Sequence, residues 1–293
     1  MKVMVLGSNG QLGRSLKSLE NQSNLEIIFL DKKRLNINSR NDLEENVNFY
    51  EPDIIINTSA YTDVRKAESD YTSALKVNFD GIKNIALICK KYSIKLIHFS
   101  TDYVFDGLSE EPYTEYDATN PINNYGKSKL AGEKALQEIL SEHIIVRTSW
   151  LYSHYNGNFF TTIARKLIDG EELNVVDDQV GRPTSVRLLS NATYEILNKI
   201  QSEELHWGIY HIAGKEIMSW YEFAKVIQKL LLQQGYKHQG LLKKSKTDNS
   251  ASEVCRPMYS VLNCEKYEKA FMPITNSIEE DLKHHLDKLL NRL

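Results

Sequence analysis

Tyr125 and Lys129 stand four residues apart in the stretch "NNYGKSK", a spacing that places two side chains on one face of a helix. A free tyrosine, with a pKa of about 10, is a poor acid near neutrality. An ammonium beside it favours the phenolate and draws that pKa toward the working range. Such a pair has the chemistry to give a proton to a carbonyl oxygen while a hydride reaches its carbon. The same stretch contains Gly-Lys-Ser, the end of a phosphate-binding P-loop. The glycine such a loop needs five residues before its Gly-Lys is here Pro121, which excludes that reading. Gly126, Lys127 and Ser128 are then read as plain helix sequence.

Tyr-x-x-x-Lys alone occurs by chance in many helices, so its neighbours carry the argument. The run "FSTDYVFDG" sets Ser100, Thr101 and Asp102 at the carboxyl end of an apolar segment, where open α/β sheets bind ligands. A hydroxyl at Thr101 can share a substrate oxygen with the tyrosine and stabilise a developing alkoxide. The alternative is a strand-end hydroxyl bonded to its own backbone. Upstream, "GSNGQLG" spaces Gly7, Gly10 and Gly13 directly after an apolar strand. In a dinucleotide loop these positions serve the tight turn, the approach of a pyrophosphate and close helix packing. Asp31 follows at about the 20-residue distance expected of a ribose-binding carboxylate. Lys32, Lys33 and Arg34 come next and suit a 2′-phosphate equally, so NADH and NADPH both remain open.

These residues need a scaffold, and the apolar pattern supplies one. Residues 2–7, 25–31, 53–60, 95–101 and 143–150 form nearly continuous apolar runs, as expected of parallel strands covered on both faces. Helical stretches at 11–20, 71–92 and 125–141 alternate with them. The expectation is an α/β, Rossmann-type doubly wound parallel sheet over residues 1–150. After residue 150 the rhythm loosens into helices at 158–169, 185–200 and 219–234, with short strands at 172–177 and 208–213. The polar, lysine-rich residues 235–256 read as a loop and 277–292 as a last helix. A smaller C-terminal α/β substrate-binding domain is expected over 151–293, its helix near 185–200 packing back on the first.

The chain has 293 residues with 41% hydrophobic and 26% charged, ordinary values for a globular protein. A net charge of −3 argues against a nucleic-acid partner. No apolar run approaches the roughly 18 residues of a membrane span, and the three cysteines are scattered. A cytoplasmic location is expected, with no membrane partner.

The ordered stretches "GSNGQLG", "NTSAYTDVRKAE", "FSTDYVFDG", "NPINNYGKSKLAGEKAL", "VRTSWLY", "NFFTTIARK", "VVDDQVGRPTS" and "RPMYSVLN" together resemble the extended short-chain dehydrogenase/reductase superfamily. The details are similar to its reductases of dTDP-linked 4-keto-6-deoxy sugars. The resemblance implies Tyr125 as proton donor, Lys129 as its electrostatic partner and cofactor ribose ligand, and Thr101 as the tuning hydroxyl. It places Gly10, Gln11 and Leu12 on the pyrophosphate. Asp31, Asn36 and Ile37 would lie near adenosine, and Ala60, Tyr61 and Thr62 along the cofactor. Thr101, Asp102 and Trp150 would meet the sugar, with Asn158, Arg182 and Arg256 toward the nucleotide half.

Related dehydratases carry Asp-Glu after the strand-end threonine; here Thr101-Asp102-Tyr103 lacks that glutamate, which implies reduction without loss of water. A dTDP-linked keto sugar is the implied substrate, and a monomer or homodimer the implied assembly. A reductase of another nucleotide-linked keto sugar, and a non-catalytic regulatory subunit on the same fold, stand as alternatives. Some relatives hold magnesium at an interface through glutamates, but the matching position is Ser15, so no metal is expected. His284 and His285 read as surface residues.

Overall fold

The five apolar runs of the first half form β1 (Lys2–Leu6), β2 (Glu26–Leu30), β3 (Ile54–Asn57), β4 (Lys95–Thr101) and β5 (His143–Thr148). This computed structural model describes residues 1–21, 25–155, 157–202, 206–237, 240–248 and 254–292. The helices between those strands are α1 (Gln11–Ser15), α2 (Arg40–Tyr50), α3 (Val64–Ser69), α4 (Tyr71–Leu75), α5 (Ile82–Tyr92) and α6 (Asn124–Ile139). The second half adds β6 (Leu151–Tyr152), α7 (Phe159–Ile168), β7 (Leu173–Val176), β8 (Val180–Gly181), β9 (Thr184–Ser185) and α8 (Val186–Gln201). Then follow β10 (Gly208–His211), β11 (Met218–Ser219), α9 (Trp220–Gln233), β12 (Leu242–Ser245), α10 (Glu265–Ala270) and α11 (Ile278–Leu290).

Strand residues alternate between two cores, as the two-residue period demands. Val3, Val5, Ile54 and Ile56 pack with α1 and α8, whereas Met4, Leu6 and Ile55 pack with α2, α5 and α6. Coverage on both faces is why these runs are apolar throughout. The central sheet is wholly parallel in the order β10-β5-β4-β3-β1-β2. Its order reverses at β1, which lies between β2 and β3, so the loops leaving β1 and β3 diverge and open a crevice.

The single helix expected over 71–92 is broken by a π-helical turn at Lys76–Gly81. There Asn78 is turned inward, accepting from the Tyr61 N–H (2.9 Å) and donating to the Tyr61 carbonyl (3.1 Å) and the Ser128 hydroxyl (2.9 Å). The turn pins the loop after β3 to α6.

A third core joins α7, α9, α11, β7 and β12 through Phe160, Leu167, Phe223, Ile227, Leu282 and Leu286. β12 lies inside the stretch read as a loop and pairs parallel with β7. Its composition conceals it: Leu242 alone is buried, while Lys243 and Lys244 reach out to Glu172 (2.6 Å) and Asp177 (2.7 Å). Residues 238, 239 and 249–253 of that stretch lie outside the described residues. His285 also departs from expectation. It shares the inner stripe of α11 with Leu282, Leu286 and Leu289, is buried, and meets His154 with the two Nδ1 atoms 3.1 Å apart. One nitrogen of that contact must donate and the other accept, so the accepting ring is neutral and the two cannot both be charged. Burial lowers the pKa of His154 to about 4 and of His285 to about 3.

Candidate active site

α6 starts where it does because Asn123 caps it: Oδ1 accepts from the Gly126 N–H (2.8 Å) and Nδ2 donates to the Cys255 carbonyl (2.9 Å). Gly126 then presses on the turn after β4, where a Cβ would sit 2.1 Å from the Tyr103 carbonyl oxygen. The absence of a side chain is what lets Tyr125 come down beside Thr101. Ser128 donates to the Tyr125 carbonyl (2.7 Å) while receiving Asn78. Gly126 and Ser128 are therefore part of the site's frame, while the exposed Lys127 between them is plain helix sequence.

Thr101 donates to Asp102 Oδ1 (3.0 Å) and accepts from the Tyr103 N–H (3.2 Å). The Tyr125 hydroxyl meets the Thr101 hydroxyl, which partly offsets a pKa pushed up chiefly by burial. This differs from a phenol made acidic by a neighbouring ammonium. Lys129 instead donates from Nζ to the Phe99 carbonyl (2.7 Å), with His98 Nε2 3.4 Å away. Burial lowers its pKa to about 8, against the pull of Glu133. Glu133 is itself engaged by Arg147 at 2.7 Å in a buried ion pair. Asp102 is buried too, which pushes its pKa up to about 6 despite hydrogen bonds from Ser260 and Thr101. Its Oδ2 has no hydrogen-bond partner among the described residues.

Two cavities meet at the glycine loop. A pocket of about 330 Å³ is lined by Gly7, Asp31, Asn36, Ile37 and Tyr61. A cleft of about 860 Å³ holds Gln11, Leu12, Thr62, Thr101, Asp102, Tyr125, Lys129, Trp150 and Asn158. Asn9, Gly10, Thr58 and Ala60 line both. Gly7 has φ +78°, and a Cβ there would lie 2.7 Å from the Ser59 nitrogen. Gly13 lines neither cavity and does the packing its spacing implied, since a Cβ would fall 2.6 Å from the Gly7 carbonyl. Asp31 accepts from the Lys33 and Arg34 N–H groups and from Asn9 Nδ2 (2.7 Å). Arg34 is drawn to the Tyr50 hydroxyl (2.7 Å), and among the described residues Lys32 is the cation on this pocket's wall.

The family description "RmlD substrate binding domain" matches residues 1–291. The chain belongs to this family. Within the RmlD family it is 38% identical over 282 residues to a dTDP-4-dehydrorhamnose reductase of Sinorhizobium fredii, covering 92% of each chain. A crystal structure of a dTDP-4-dehydrorhamnose reductase from Clostridium acetobutylicum superimposes with a TM-score of 0.89 at 36% identity, covering 99% of this chain and 100% of that one. A dTDP-4-dehydrorhamnose reductase from Bacillus anthracis, solved in complex with NADP, gives 0.89 at 35% identity over 98% and 99%.

The RmlD-family site differs from the sequence expectation on its outer side. Trp150 lines the cleft, but as half of a stacked pair with Trp220 (3.5 Å, 6° between planes) and with Gly181 against the indole. Asn158 spends its polar atoms on structure. Oδ1 caps α7 at Thr161, and Nδ2 donates to Gln11 Oε1 (2.9 Å) and the Tyr155 carbonyl (2.7 Å). Neither Arg182 nor Arg256 is among the described residues that line the cleft. Arg182 turns to Cys264 (3.8 Å), and Arg256 lies beside Tyr103. The arginines on the cleft wall are Arg14, Arg165 and Arg292. Arg14 lies three residues after Gln11 and Arg165 seven after Asn158, spacings that return to one helix face and carried the signal. Arg292, far along the chain, gave none.

Proposed function

We propose that this chain is an NAD(P)H-dependent reductase of the C4 keto group of dTDP-4-dehydrorhamnose, forming dTDP-L-rhamnose for polysaccharide synthesis. The observation that carries the chemistry is the Tyr125 hydroxyl against Thr101 within a cleft that opens from the glycine loop. The relatives' names supply the substrate, and the NADP-bound relative supports the cofactor class.

A dinucleotide fits the residues present, because pocket and cleft join at Gly10 and extend to either side of it. Gly10, Gln11 and Leu12 would hold its pyrophosphate, and Asp31, Asn36 and Ile37 its adenosine. Asp31 suits ribose hydroxyls and Lys32 a 2′-phosphate, so both NADH and NADPH are expected to serve. When bound, the reduced nicotinamide supplies the hydrogen and electron pair gained by the keto carbon.

Thr101 and Tyr125 orient the keto oxygen, and Tyr125 gives its proton to the alkoxide as it develops. An alkoxide is more basic than a phenolate, so the phenol remains the donor even with its pKa raised. The unpartnered Oδ2 of Asp102 accepts a sugar hydroxyl. Tyr103, its pKa pushed up to about 12 by burial, is no substitute for the acidic residue a dehydratase needs. The reaction thus ends at reduction. The scattered cysteines, all free, agree with a cytoplasmic site of action. Among the described residues, no helix is long and apolar enough to cross a membrane.

The test offers the purified chain a panel of nucleotide-linked 4-keto-6-deoxy sugars with NADH or NADPH, the products identified by NMR. Turnover of the dTDP-linked sugar, lowered 10²–10⁴-fold in Tyr125→Phe, is expected. A folded Tyr125→Phe protein with full turnover would overturn the role of the phenol, and exclusive reduction of a UDP- or GDP-linked sugar would overturn the substrate.

A further inference from the structure

Behind Lys129 lies a chain of buried polar groups that the reaction above leaves unused. Asn57 at the end of β3, His98 in β4 and Lys129 in α6 are 1%, 0% and 1% exposed. The Ser59 N–H donates to Asn57 Oδ1 (3.1 Å), which fixes the way the amide faces. Asn57 Nδ2 therefore points at His98 Nδ1, 3.1 Å away. An amide NH₂ only donates, so His98 Nδ1 accepts and the ring proton resides on Nε2. That Nε2–H faces Lys129 Nζ across 3.4 Å, while Nζ is held to the Phe99 carbonyl at 2.7 Å.

The consequence is a conflict of donors. An ammonium at Lys129 brings its hydrogens against the Nε2–H, whereas a neutral amine accepts from Nε2–H and still donates to Phe99. An imidazolium at His98 offers no escape, because it would set a second N–H against the Asn57 amide, and burial opposes its charge. We propose that Asn57 and His98 are positioning residues that act through Lys129, presenting it with a hydrogen-bond donor and so setting where it changes between ammonium and amine. The other ionisable groups around this chain do not replace the donor. Glu133 of α6 is paired with Arg147 of β5. His143 of β5 bonds the Leu140 carbonyl. Asp102 after β4 is bonded to Thr101, and Tyr125 of α6 meets Thr101.

In the reductase reading, on which this consequence for turnover rests, Tyr125 is left as phenolate after each proton transfer. A proton that originates at the Lys129 ammonium, one helical turn along α6, restores the phenol by relay through the cleft that both residues line, and solvent restores Lys129. Lys129 with a pKa of about 8 gives and regains that proton near physiological pH. An ordinary lysine would hold it far more tightly. Turnover then falls as pH rises through the Lys129 pKa.

Asn57→Asp tests the device. It keeps an acceptor for the Ser59 N–H but sets a carboxylate against Nδ1, which draws the ring proton there, as carboxylate–imidazole pairs do. Nε2 then accepts from the ammonium. Nitrogen-15 NMR is expected to find the His98 proton on Nε2 in the wild type and on Nδ1 in Asn57→Asp. The Lys129 Nζ titration and the alkaline limb of kcat should both move up by about one pH unit. His98→Phe, which deletes the Nε2–H and keeps a ring, should move the Nζ titration the same way if Asn57→Asp does not fold. A wild-type proton on Nδ1, or an Nζ titration unmoved in a folded variant, overturns the proposal. The NMR readouts need no substrate, so they stand or fall separately from the reductase reading.

Discussion

Asp102 shows how a residue can be suited to its chemistry and ill suited to its surroundings. Its carboxyl is buried with one oxygen unpartnered, and its pKa lies at about 6 rather than 3.8. A raised carboxyl pKa contributes stability that is fully present below the ordinary value and lost as pH rises through the folded one. At neutral pH the ionised side chain therefore weighs against the fold, by about 3 kcal/mol if the whole shift is counted. Asp102→Asn, nearly identical in shape, is expected to raise stability at about pH 7.5 by roughly 1–3 kcal/mol while lowering turnover. Urea denaturation at that pH and again below about pH 4, where the difference should vanish, checks the sign. The placement was legible at this scale: helical spacing set Tyr125 and Lys129 on α6, a strand end set Thr101, and all three line the cleft. The direction Lys129 takes was not. It bonds to Phe99, 30 residues back, and only the pairing of strands brings that carbonyl within reach.

The decisive element is α6, which delivers both Tyr125 and Lys129 and approaches its neighbours through two glycines. A Cβ at Gly126 would lie 2.1 Å from the Tyr103 carbonyl, and one at Gly132 would lie 2.0 Å from that of Asn78. A helix interior ordinarily gains from Gly→Ala, since alanine is the better helix former by about 1 kcal/mol. Here backbone stands in the way, so Gly126→Ala must lift the helix start from β4 and carry Tyr125 off Thr101. The expected result is a fall in kcat of about 10²-fold, as displacements near 1 Å produce, with far-UV circular dichroism unchanged; an unaltered kcat would show that the helix start tolerates the shift. Strands β1 to β5 could be read because continuous apolar runs leave little else for a chain to do. β12 could not, since a strand that buries one leucine between lysines has the composition of a loop. The π turn at Lys76–Gly81 was hidden for a related reason, because the inward Asn78 answers to partners at Tyr61 and Ser128 that only the folded chain supplies.

Across the whole molecule, α11 is fastened to the segment that follows β6 by the contact of His154 with His285. Both pKa values are lowered, with burial the leading cause and Lys288, Arg292 and His284 adding to it. Below the ordinary histidine pKa of about 6.5 the unfolded chain binds protons that the folded one refuses. Stability is thus expected to fall as pH drops from about 6.5 toward 4, and His285→Leu should flatten that limb of a Tm-against-pH curve. An unchanged limb would assign the acid sensitivity to other groups. The same long-range closure appears in the central sheet. β10, drawn from residues 208–211, pairs with β5 as the sixth strand, and α8 covers one face of the strands before it. A fragment ended at residue 150 would keep every glycine of the nucleotide loop yet expose β5 as a raw edge and leave an apolar face bare. It should aggregate rather than bind. A recombinant or evolutionary exchange of the nucleotide-binding half would therefore have to carry the late strand with it, so the heritable unit here is a knot of distant segments rather than a contiguous cassette.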